Sequence, residues 1–95
     1  MSNTKTYRDP TEIFAEILEL CKQPTATTRI VYKTNLSYNA ALKFLKRLRK
    51  LELLELDQDN KEYATTEKGF EFLKKHTELK KLLKPKEHRR PNQSP

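Results

Sequence analysis

Asn39, Lys43, Lys46, Arg47 and Lys50 share one side of a helix if residues 37–50 are helical, because steps of three, four and seven return to one face at about 100° per residue. An amide and four cations on one face suit hydrogen bonding and charge pairing with an extended anion. An asparagine amide donates and accepts together, which fits the two-point edge of adenine, and a lysine fits guanine or a phosphate. Catalysis finds no such support. With one glycine, one cysteine and two separated histidines, the chain offers no phosphate-cradling loop, no nucleophile beside a base and no metal-ligand cluster. Neither an enzyme nor a cofactor is expected. Cys21 excludes an internal disulfide, argues for a reducing cytoplasm, and lies on an apolar stripe where a small core residue fits.

The charge is strongly segregated. The 95 residues carry a net +7, yet residues 25–51 hold seven basic and no acidic side chains, while residues 52–62 hold one lysine against five acids. Solubility is ordinarily met with mixed signs. Twenty-seven residues without a carboxylate point instead to an anionic partner. No apolar run approaches the roughly 18 residues of a membrane span, and Met1–Asp9 is too polar for a secretory signal. The expected location is the cytoplasm, in association with the nucleoid.

The elements that must position the cationic face follow from local signals. Asp9-Pro10-Thr11-Glu12 reads as a capped helix start, and Ile13, Phe14, Ile17, Leu18 and Cys21 give that helix one apolar stripe over about residues 9–22. Pro24-Thr25-Ala26 is a connector or a very short strand. Residues 27–34 fit two helical turns around Ile30 and Val31, with Thr27 or Thr28 as cap. Asn35 tolerates the left-handed conformation that ends helices, and Leu36 can return to the core. Ser37 then caps the helix at 37–50, with Tyr38, Ala41, Leu42, Leu45 and Leu48 on its apolar face and Arg49 at the edge of that face, snorkelling or paired with a carboxylate.

Two helices joined by so short a turn are a helix-turn-helix. A hairpin follows, from Leu53–Asp57 and Glu62–Thr65 around the turn-rich Gln58-Asp59-Asn60-Lys61, which makes the fold a winged helix: mainly α with a small β-hairpin. Thr66 caps a last helix that runs to about Lys84 and is stopped by Pro85; Gly69 sits early in it, where close approach of another backbone is the expected reason. The division is a flexible end at 1–8, a winged-helix domain at 9–66, a C-terminal helix at 67–84 and a disordered basic tail at 85–95.

The run Thr28-Arg-Ile-Val-Tyr-Lys-Thr-Asn-Leu-Ser-Tyr38, the Leu/Lys-rich helix after it, and Tyr63-Ala-Thr-Thr-Glu-Lys-Gly69 resemble the small archaeal winged-helix DNA-binding proteins, over about residues 11–80. The ten-kilodalton DNA-binding proteins of Sulfolobus are among the similar ones. The resemblance implies duplex binding and dimerisation through an extended C-terminal helix forming an antiparallel coiled coil. Two features depart from that pattern: Pro85 shortens the last helix, and Asp57 and Asp59 flank the wing tip where a phosphate-contacting wing carries Lys or Arg.

In such a domain Ser37, Asn39, Ala40 and Lys43 are candidate base readers, Lys46, Arg47 and Lys50 flanking or phosphate contacts, and Lys33 and Thr34 backbone contacts from the preceding helix. On the last helix Phe70, Leu73 and Thr77 form one stripe, expected in the core. Phe72, His76, Leu79 and Leu83 form a second, spaced as a homodimer seam, with packing on the first helix of the same chain as the alternative and His76 a packing residue. The expected function is a DNA-binding transcription regulator. An architectural chromatin protein with little sequence preference and a winged-helix protein-interaction module are the alternatives; the acidic wing keeps the last in play.

Overall fold

The computed structural model describes residues 9–84. The expected flexible end at 1–8 and basic tail at 85–95 lie outside them. Helix α1 spans Pro10–Leu20; the Asp9 carboxylate accepts from the Thr11 N–H at 3.0 Å, and Pro10 occupies the first turn, where its missing N–H costs nothing. One face of α1 buries Ile13, Phe14, Ile17 and Leu18. Strand β1, Thr25–Ala26, runs directly into α2, Thr27–Thr34. Neither Thr27 nor Thr28 caps α2: the N-cap is Ala26, held in extended conformation by its pairing with β3. Helix α2 ends at Asn35, φ 60°, whose N–H donates to the Val31 carbonyl.

Helix α3, Tyr38–Lys50, opens on Ser37, whose hydroxyl accepts from the Ala40 N–H at 3.1 Å. Strands β2, Leu54–Asp57, and β3, Glu62–Thr65, form the hairpin. The sheet is antiparallel in the order β1-β3-β2, with Thr25 opposite Tyr63 and Leu56 opposite the same Tyr63 on the other side. Helix α4, Glu67–Leu82, is capped by Thr66, whose hydroxyl accepts from the Gly69 N–H at 3.0 Å.

The core joins α1 to Ile30, Leu45, Leu48, Leu53, Leu54, Tyr63 and Leu73. Within it Phe14 packs edge-on to Phe44 (5.9 Å between centroids, 82°) and tilted against Phe72 at 6.2 Å. These contacts set the rotation of both outer helices. On α3 the buried residues are Ala41, Leu45 and Leu48 with Phe44 half-buried, while Tyr38 and Leu42, expected inside, face solvent. Burying an aromatic ring against Phe14 gains more apolar area than burying a tyrosine whose hydroxyl would need a partner. On α4 the inward residues are Gly69, Phe72, Leu73 and His76; Phe70 and Thr77, expected in the core with Leu73, are exposed.

Candidate nucleic-acid interface

The face of α3 opposite the core presents Asn39, Lys43, Lys46, Arg47 and Lys50, all exposed. Among the described residues, the ion pairs join Glu19 to Lys22 and Glu12 to His76 and Lys80; none engages a cation of α3. The four cations form a shallow concavity of their own, lined by Lys43, Lys46, Arg47 and Lys50. A second groove lies between α3 and β2, bordered by Lys46, Arg49, Lys50 and Glu55. Arg49 is exposed there, at the edge strand of the sheet. Ser37 is exposed, Ala40 half-buried, and Lys33 exposed on α2.

Thr34 is a correction. It is 1% exposed, and its hydroxyl donates to the Ile30 carbonyl one turn back at 2.7 Å. A β-branched residue at a helix end often turns its hydroxyl onto the i−4 carbonyl, and here the core closes over it. The Thr34 side chain is thus turned into the chain, and the exposed cations of α2 are Arg29 and Lys33. Tyr32, 81% exposed, adds an aromatic on the same helix.

The C-terminal end of α3 is held by an unusually complete set of contacts. Leu53 N–H donates to Leu48 and Glu52 N–H to Arg49, both at 2.9 Å, with Glu52 in the left-handed conformation at φ 65°. This is the Schellman arrangement, with glutamate where glycine is usual. The Thr66-Glu67-Lys68-Gly69 segment then closes over it. The Thr66 hydroxyl donates to the Glu52 carbonyl at 2.7 Å, the Thr66 N–H to Leu53 at 3.1 Å, and the Lys68 ammonium to Leu51 at 2.9 Å. This segment therefore positions the cationic helix; it is not part of the face itself.

The wing is built from its acids. The Asp57 carboxylate accepts from the N–H groups of Asp59 (3.0 Å) and Asn60 (3.4 Å) and from the Asn60 amide at 2.9 Å. The Asn60 side-chain bond leads in holding the Asp57 carboxyl below the usual carboxylate range. Lys61, at φ 58°, closes the turn by donating its N–H to the Asp57 carbonyl.

The expected dimer stripe divides. Phe72 packs against the core and stacks on His76, centroids 5.9 Å apart, and His76 Nε2 lies 3.9 Å from Glu12 of α1. Leu79 and Leu83 are exposed, as is Leu82 between them. Among the described residues no group of three or more potential metal ligands comes together, and no helix is long and apolar enough to cross a membrane.

Residues 7–84 match the model of a family described as winged helix-turn-helix. Among solved structures the chain is similar to Sso10a-2, a DNA-binding protein from Sulfolobus solfataricus, at 31% identity, covering 79% of this chain and 81% of that one, with a TM-score of 0.71. It is also similar to ZitR from Lactococcus lactis: 27% identity over 74% of this chain and 52% of ZitR, TM-score 0.61. A cysteine-to-serine mutant of ZitR in complex with DNA matches at 25% identity over 86% of this chain and 59% of that one, TM-score 0.62. The chain thus spans just over half of ZitR. No curated protein matches the sequence. The chain belongs to the winged helix-turn-helix family, and within it to the small winged-helix proteins of which Sso10a-2 is one.

Proposed function

We propose that this protein binds double-stranded DNA as a homodimer and regulates transcription, with α3 as the helix that enters the major groove. The observation that carries this reading is the outer face of α3: an amide and four cations, all exposed, none paired within the described structure, on a helix with no acid. Asn39 and Lys43, in its first half, are the base readers; each good pair is worth about 1–3 kcal/mol of discrimination. Lys46, Arg47, Lys50 and Lys33 neutralise phosphates, and release of the displaced counterions supplies much of the affinity. Sso10a-2, a DNA-binding protein, and ZitR, solved in complex with DNA, support the assignment. The exposed Leu79, Leu82 and Leu83 at the end of α4 support a dimer, since a contiguous exposed apolar patch is a mark of an interaction surface. Phe72 and His76 would brace that helix against α1.

A salt titration of duplex binding tests the reading. The slope of log K against log salt should correspond to several neutralised phosphates, and replacing Lys43, Lys46 and Arg47 together by glutamate should abolish binding. Micromolar wild-type protein that shifts no duplex at low salt would refute it.

A further inference from the structure

Tyr38 and Leu42 are neighbours one turn apart on α3, and they remain 57% and 37% exposed. Phe44 has taken the place in the core that either could have filled. The result is a short apolar strip beside Asn39, Lys43 and Lys46, in the half of the helix that meets base edges in helix-turn-helix proteins. A face that bound DNA by charge alone would have no use for a leucine there. The flanking cations commit the face to an anionic partner, and the major groove of a duplex offers one apolar group, the C5 methyl of thymine.

We infer that Tyr38 and Leu42 pack against thymine methyls, so that the preferred site carries thymine beside the bases met by Asn39 and Lys43. The inference rests on the DNA-binding reading above. It makes Tyr38 and Leu42 specificity residues, distinct from the cations that supply affinity.

The test is a fluorescence-anisotropy competition with the full chain. Two duplex pools of identical random sequence are compared, one made with thymine and one with uracil, which lacks only the C5 methyl. The thymine pool should compete better, by about four-fold for each methyl contacted. Leu42→Ala and Tyr38→Ala should each reduce that preference and leave the salt dependence unchanged, because neither removes a charge. Equal competition by the two pools overturns the inference while DNA binding stands. A thymine preference that survives both substitutions overturns it too, because it would then arise from duplex shape. Binding to neither pool overturns both the inference and the reading beneath it.

Discussion

Gly69 lies directly beneath the backbone carbonyl of Leu53: a Cβ at position 69 would collide with that oxygen and come within 2.5 Å of the Thr65 methyl. The obstacle is backbone, and it is pinned by the Thr66 N–H. Alanine at 69 would gain about 1 kcal/mol in helix propensity. Overpacking a site that cannot yield costs about 1–3 kcal/mol. Gly69→Ala is therefore expected to lower the thermal midpoint by several degrees, as calorimetry would show; an unchanged or raised midpoint would mean that α4 can slide away from the α3–β2 junction.

Glu52 presents the opposite case. It holds φ at 65° with a side chain that disfavours it. Glu52→Gly should stabilise the fold by about 0.5–1 kcal/mol in urea titration, without loss of the Schellman bonds to Leu48 and Arg49. Destabilisation would show that the glutamate side chain does more than occupy the position.

Lys33 and Thr34 are adjacent in sequence and should behave differently. Lys33→Ala is expected to reduce the salt slope of duplex binding by about one unit with little effect on stability. Thr34→Val, which removes a buried hydroxyl bonded to Ile30, should leave the slope alone and cost about 1 kcal/mol of stability. Duplex binding weakened by Thr34→Val at fixed salt, in protein shown to be folded, would restore that residue to the interface.

Burial pushes the Cys21 thiol up from its ordinary 9.0 to about 12. A raised value means that the fold favours the neutral thiol. This contribution to stability is complete below pH 9 and is lost between pH 9 and about 12. At pH 8 Cys21 should therefore resist thiol reagents until the chain unfolds. Labelling of native protein at the rate of a free thiol would contradict this.

Leu79→Lys with Leu83→Lys should make the proposed dimer a monomer in light scattering, with the helical circular dichroism retained because neither leucine is buried in the chain. A dimer that persists would place the contact elsewhere.

Much of this was legible in residue order because local rules decided it. Asp9, Ser37 and Thr66 cap helices, Asn35 ends one in the left-handed region, and Gly69 marks a close approach, all as their types suggest. What could not be read was helix rotation. Apolar residues on α3 exceed what one face can hold; Phe44 turns in against Phe14, beside the buried Ala41, Leu45 and Leu48, while Tyr38 and Leu42 turn out. The same ring draws Phe72 inward on α4 and leaves Phe70 outside. Thr34 departs from expectation for a related reason: its polarity suggests a surface, whereas its hydroxyl donates to the Ile30 carbonyl inside the chain.

The separation of charge between α3 and the wing bears on how quickly the protein meets its partner. Cations dominate residues 25–51 and acids residues 52–62, so the two elements carry opposite charge. If the partner is the proposed duplex, it attracts the α3 cations and repels the acids of the hairpin, Glu55 among them across the groove from Lys46 and Lys50, and this biases the angle of approach. Landing orientation would then be chosen during approach, and fewer collisions would be wasted.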